Sequence, residues 1–357
     1  MGGKEPLGVE AVAELGPQGP LPIRREAGIG SVFAALDLGT NNCRLLVARP
    51  LIEGGFRVID AFSRIVRLGE GVSATGRLSE AAMARTVEAL RVCAVKIQRR
   101  GATHIRCVAT EACRRAVNCA EFVARVRRET GILLEIITER EEAALAFNGC
   151  APLLEQGWPR AVVFDIGGGS TEVGWLGLEG VVPELIGWLS IPIGVVTLAE
   201  RHGSARLPER LYDAMVEEVA HLLRPFAVAH GIAEGIAAGR VQMLGTSGTV
   251  TTLAGVHLGL PRYDRNLVDG RHLDFAAIRR VSAALAAMEC AERAGNPCIG
   301  RDRADLVVAG CAILEAMCRL WPVGRLRVAD RGVREGILHG LMYEAGRTAG
   351  QVDGLPA

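Results

Sequence analysis

The chain has 357 residues, 49% apolar and 23% charged, with 41 Lys and Arg against 40 Asp and Glu. This is the composition of a globular protein of about two domains. The near-cancelled charge excludes a bulk electrostatic hold on DNA or a membrane surface, and aromatic residues at 4% are too few to stack single-stranded bases.

The first 30 residues mix Pro, Gly and acidic residues without an apolar core. They read as a flexible extension rather than a secretory leader. No uncharged apolar run reaches the length of a membrane span. The ten cysteines form no C-x-x-C pair and several lie in apolar runs, so they read as buried free thiols in a reducing cytoplasm.

Order is expected to begin at Ser31. SVFAALDLG is a buried strand meeting a tight turn, CRLLVARP its returning strand, and FRVIDAFSRIVRLG a third strand. A helix follows to Gly101, capped by Ser79. HIRCVAT reads as a strand, EACRRAVNCAEFVARVRRETG as a helix, LLEIITERE as a strand and EEAALAFNGCAPLL as a helix. This alternation predicts an α/β domain over residues 31–155.

EQGWPRA breaks the pattern, and AVVFDIGGGSTEVGWLGL then repeats the first strand–turn–strand unit. Both copies read apolar, Asp, apolar, Gly, then a small polar loop. We take this as an internal duplication, with a second domain over 156–345. In that domain LYDAMVEEVAHLLRPFAVAHG is a helix, VQMLG a strand and GTVTTLAGVHLG a helix; three more helical stretches follow. Residues 346–357 are expected to fray.

Three loops carry chemistry. In the first, Gly39 permits a sharp turn after Asp37, and Thr40, Asn41 and Asn42 add short polar groups. In the second, Gly167, Gly168 and Gly169 cost chain entropy that makes sense where an anion approaches the backbone, with Ser170 and Thr171 as donors. Asp165 and Glu172 bring the hard oxygens that suit magnesium. The third, Gly245, Thr246, Ser247 and Gly248, lies between a strand and a helix start, which favours an anion without forming a Walker loop. Glu139, Glu141 and Glu142 stand at a further helix start, where carboxylates commonly serve as caps.

The elements LDLGTNNCRLLV, VATEACRRA, IITEREEAALAFNG, VVFDIGGGSTEVGW, MLGTSGTVTTLAG, RADLVVAGCAIL and VADRGVREGIL together resemble the exopolyphosphatase / guanosine pentaphosphate phosphohydrolase (Ppx/GppA) family. That family lies within the acetate kinase–sugar kinase–actin superfamily, and the resemblance covers about residues 31–345. It implies two ribonuclease-H-like (actin-like ATPase) domains with an interdomain cleft, in the short form that has no C-terminal helical extension.

By the same resemblance, the activity is metal-dependent release of terminal phosphate from inorganic polyphosphate. Glu142 would activate water, and Asp37, Asp165 and Glu172 would serve Mg2+ or Mn2+. Arg114 would pair with phosphate oxygens. Guanosine pentaphosphate is the alternative substrate, and a homodimer is allowed. A kinase on the same fold and a non-catalytic polyphosphate or alarmone sensor are the readings from other classes. Two positions depart from the family pattern: Asn42 stands where Ser is usual, and Ala144 where Arg is usual.

Overall fold

A computed structural model describes residues 30–52, 55–180, 183–203 and 206–352. The extension expected over 1–30 lies outside these residues except for Gly30, as do the last five residues of the expected tail.

The first sheet contains β1 (Phe33–Leu38), β2 (Asn42–Pro50), β3 (Phe56–Ile65), β4 (His104–Ala109) and β5 (Glu135–Ile136), in the order β3-β2-β1-β4-β5. Its helices are α1 (Val72–Thr75), α2 (Glu80–Arg99), α3 (Glu111–Arg115) and α4 (Cys119–Thr130), and α5 (Glu139–Cys150) leads out of the domain. The second sheet contains β6 (Arg160–Ile166), β7 (Thr171–Gly177), β8 (Glu184–Ile191), β9 (Val241–Thr246), β10 (His272–Asp274) and β11 (Arg325–Ala329). Its order is β10-β11-β9-β6-β7-β8. The helices of this half are α6 (Val195–His202), α7 (Glu209–Ala229), α8 (Ile232–Ala237), α9 (Gly248–His257), α10 (Arg265–Val268), α11 (Phe275–Ala287), α12 (Cys290–Ala294), α13 (Val307–Leu320) and α14 (Val333–Val352).

The duplication is visible in the pairing. In each sheet three antiparallel strands in sequence are followed by one that pairs in parallel with the first, β4 with β1 and β9 with β6. β1 and β6 are central, and every residue of β1 except Asp37 is buried, as expected of apolar runs covered on both faces. The aspartates are the polar exceptions at the strand ends.

Three apolar clusters hold the molecule together. Two lie on the outer faces of the sheets, beneath α2–α4 and beneath α7, α11 and α13. The third lies between the sheets: Phe33, Ala35 and Leu46 from one and Ala161, Val163 and Leu244 from the other enclose α5 and α14. These two helices cross at glycines. A Cβ on Gly149 would sit 2.0 Å from the Gly332 carbonyl oxygen, and one on Gly336 would sit 2.0 Å from that of Leu145.

Several local expectations change. The helix read across EACRRAVNCAEFVARVRRETG is two helices, because the Asn118 side chain bonds both backbone groups of Leu78 and Ala116 is extended. The strand LLEIITERE shrinks to β5, since α5 starts at Glu139 under a Thr138 cap. Strands β8, β10 and β11 are additions to the sequence reading. The last helix continues to Val352, past the expected onset of fraying at 346. Nine of the ten cysteines are buried and all are free. Among the described residues no helix is long and apolar enough to cross a membrane.

Candidate active site

Two equivalent loops meet in the gap between the sheets. After β1 the chain turns at Gly39, whose amide donates to Asn42 O at 2.9 Å; after β6 it turns at Gly167, whose amide donates to Ser170 O at 2.9 Å. The loops touch. A Cβ on Gly168 would lie 2.9 Å from Thr40 Cβ, and one on Gly169 would lie 2.8 Å from Glu111 Cγ. Glycine is required there by close approach. The carbonyls of Gly167 and Gly168 accept from Val195 N and Val196 N at the start of α6, at 3.0 and 2.8 Å. The amides of Gly168 and Gly169 donate to nothing among the described residues, which leaves them for an anion.

The third loop adds a helix start. Ser247 caps α9, its hydroxyl accepting from Thr249 N at 3.1 Å and Val250 N at 3.2 Å. The cleft is lined by Asp37, Gly39, Thr40, Asn41, Asn42, Glu142, Asp165, Gly167, Gly168, Gly169, Ser170, Ser247 and Gly248. These are the sequence candidates that the fold brings together.

Glu142 lies in the first turn of α5, with its side chain 14% exposed. Arg114 Nη1 donates to its Oε2 at 2.8 Å. Burial pushes Glu142 up to about 7, and the neighbouring charges of Asp37 and Asp165 add to the rise while Arg114 opposes it. A carboxyl poised there can accept a proton near neutral pH. Asp165 is pushed up to about 6, by burial first and by Asp37, against Arg44. Asp37 is raised by burial and moderated by Arg44 and Arg334. Glu141 pairs with Arg106 on β4 and lies off the cleft.

Five sequence candidates lie elsewhere. Arg114 is held by Glu142, by Glu111 (Nη2 to Oε2, 3.0 Å) and by the Ile137 carbonyl, so the structure sets its guanidinium on the acid. Glu172 stands opposite Asp165 in the β6–β7 ladder, 1% exposed, and accepts from the Ser190 hydroxyl; it is buried beside the cleft acids, raised by burial and by the charges of Glu142 and Asp165, without lining the cleft itself. The Thr171 hydroxyl donates to Ile193 O and that of Thr246 to Arg331 O. Gly245 is glycine because the Phe164 ring covers it, its Cζ 2.4 Å from where a Cβ would sit.

Sequence reasoning missed two arginines. Arg44 stands directly opposite Asp37 in the β1–β2 ladder, and Arg303 precedes α13; both line the cleft. A methyl group on Gly248 would lie 3.7 Å from a guanidinium nitrogen of each. Burial lowers the pKa of Arg303, and the like charge of Arg44 lowers it further. Two facing cations at a helix N-terminus form a place for a phosphoryl group. Arg44 had a signal, since it is two residues past Asn42 on the strand that returns from the loop. Arg303 had none.

The donor set fits a hard divalent cation. Asp37 and Asp165 offer carboxylates, and Asn41 Oδ1 and Asn42 Oδ1 are buried acceptors without a donor. Among the described residues no three acidic, His or Cys side chains are close enough to hold an ion alone, so water and phosphate oxygens would complete the shell, as Mg2+ prefers.

The model of the Ppx/GppA phosphatase family matches residues 49–345. Exopolyphosphatase 2 of Mycobacterium tuberculosis is 32% identical over 323 residues, covering 85% of this chain and 96% of that protein. The crystal structure of the Aquifex aeolicus Ppx/GppA family member is 29% identical with a TM-score of 0.71, over 88% of this chain and 98% of that one. An exopolyphosphatase structure from Cytophaga hutchinsonii, at 24% identity and a TM-score of 0.78 over 87% of this chain and 98% of that one, agrees in fold. The chain therefore belongs to the Ppx/GppA phosphatase family and is a hydrolase acting on phosphoanhydride bonds.

Proposed function

We propose that the protein is a metal-dependent exopolyphosphatase of the cytoplasm that releases terminal phosphate from inorganic polyphosphate. The observation that carries this reading is the buried, proton-accepting Glu142 facing two glycine loops and two arginines. The similarity to a named exopolyphosphatase supports the substrate.

The terminal phosphoryl group sits between the amides of Gly168 and Gly169, the α9 N-terminus, and the Arg44 and Arg303 guanidinium groups. These donors neutralise charge that spreads over its oxygens in the transition state. Glu142 takes a proton from water as the water oxygen attacks phosphorus in line; the anhydride oxygen leaves on the shortened chain. Arg114 holds the carboxylate toward the cleft. Bound between Asp37 and Asp165, a divalent cation would supply further charge neutralisation at the phosphate oxygens.

A phosphate-release panel tests this: tripolyphosphate, long polyphosphate, guanosine pentaphosphate and ATP, each with magnesium and with chelator. Magnesium-dependent release from polyphosphate is expected. Release from guanosine pentaphosphate alone would move the assignment to the nucleotide, and binding without release would make the protein a sensor.

A further inference from the structure

The segment from Val66 to Gly71, between β3 and α1, lies along the first glycine loop. The amides of Val66 and Arg67 both donate to Asn41 O, at 2.9 and 3.0 Å, and Gly69 N donates to Thr40 O at 2.9 Å. A Cβ on Gly69 would sit 2.2 Å from Thr40 Cγ2. Arg85 braces the segment from outside, with Nε donating to Val66 O at 3.1 Å and Nη2 pairing with Glu70 at 2.8 Å. Arg67 is held here at φ 48°, in the left-handed region. Among the described residues it shares a positive φ outside glycine only with Ser247, the α9 cap, so both strained positions adjoin the cleft, one in each domain. A conformation of this kind persists where its surroundings over-determine it.

From this backbone Arg67 reaches across to the other domain. Its Nη1 donates to Asp305 Oδ2 at 2.6 Å, and its Nη2 to Asp305 Oδ1 at 2.8 Å and to Asp302 O at 3.0 Å. Gly71 N adds a second crossing, to Glu200 Oε1 on α6 at 2.9 Å. The two gripped residues flank Arg303. That residue's carbonyl accepts from Leu306 N and Val307 N at 3.0 Å each, and its Nη1 donates to Thr252 Oγ1 at 3.2 Å. Arg67 therefore clamps the turn on both sides of one of the two cations that face each other at Gly248.

We infer that Arg67 and Asp305 are positioning residues: their bidentate pair latches the two domains together at the cleft and sets Arg303 against the phosphate chain. The inference rests on the polyphosphate reading for its substrate and on geometry for the latch. Exposed ion pairs generally hold little. This one is half-buried, at 31% and 27% exposure, two-pronged, and mounted on backbone bonded to a substrate loop. The loops of the two domains touch at Thr40 and Gly168, so any parting of the domains breaks the pair together with that contact.

The test uses Arg67→Ala, Asp305→Ala and the exchange Arg67→Asp with Asp305→Arg, with circular dichroism as the check on folding. X-ray scattering of the free protein reads closure, and calorimetry with tripolyphosphate reads the cleft. Each single variant should enlarge the scattering radius and weaken tripolyphosphate binding by about tenfold, the size of a moderate coupling between sites. In turnover KM should rise much more than kcat falls. The exchange should recover both radius and affinity, which loss of stability alone would not do. Folded single variants with wild-type radius and affinity would overturn the inference, as would an exchange that recovers nothing. If the wild-type protein takes up no tripolyphosphate, the substrate reading fails and the scattering comparison still decides the latch.

Discussion

Arg114 Nη1 donates to Glu142 Oε2 at 2.8 Å while Nη2 of the same guanidinium donates to Glu111 Oε2 at 3.0 Å. One arginine on a short helix thus orients the carboxylate of another helix, and its charge opposes the rise that burial imposes on Glu142. The acid is balanced between the two effects near neutrality, which is where a general base is useful.

Glu142→Gln keeps the volume of the side chain and removes the base. Hydrolysis should fall by about 10²–10⁴-fold with folding intact. Glu141→Gln, in the same turn but paired with Arg106, should be far milder. Phosphate release by both variants decides the assignment; activity of the Glu142 variant within tenfold of wild type would sink it.

Arg114→Met removes the cation that lowers the Glu142 pKa. The acidic limb of the pH–rate profile should move to higher pH, because the base then loses its proton later. A limb that stays in place would separate Arg114 from the acid.

Stability should respond in the opposite sense. Glu142 is raised from an ordinary 4.5 to about 7 on folding, so the folded state prefers its protonated form. That contribution is complete below pH 4.5 and lost by about pH 7. In chelator, the melting temperature of wild type relative to Glu142→Gln should therefore decline between pH 4.5 and 7. Parallel curves for the two proteins would contradict the raised pKa.

Gly149→Ala and Gly336→Ala each place a methyl group 2.0 Å from a backbone oxygen at the crossing of α5 and α14. Each should cost about 1–3 kcal/mol in urea unfolding, the usual range for overpacking. Because α5 carries Glu142, activity of the surviving folded protein should drop as well. Unchanged unfolding midpoints would show that the helices can slide apart freely.

Asp37→Asn and Asp165→Asn should each weaken metal use, with partial rescue at raised magnesium. Wild-type hydrolysis that persists in chelator would remove the metal from the scheme.

Features that a few adjacent residues decide were legible in the sequence. Asp37 before Gly39 and Asp165 before Gly167 each mark a strand ending in a tight turn, and the repeat of that unit disclosed the duplication. Glu139, Glu141 and Glu142 marked the junction into α5, although the preceding strand was read too long, past the Thr138 cap that the structure shows. Strands β10 and β11 stayed hidden because they are only 3 and 5 residues long and pair with each other and with β9 across long stretches of chain, and β8, which returns directly from β7, carries little alternation.

By itself the sequence determined the α/β class, the two glycine loops, the capped start of α9 and the acid at the start of α5. All of these depend on backbone freedom, capping and polarity within a few residues. Only the tertiary structure decided which side chains face one another. It turned Arg114 onto Glu142, placed the Phe164 ring over Gly245, buried Glu172 beside Asp165, and brought Arg44 and Arg303 together at Gly248. Contacts of that kind form between residues far apart in the chain, and they are fixed by the pairing of strands and the crossing of α5 and α14 between the sheets.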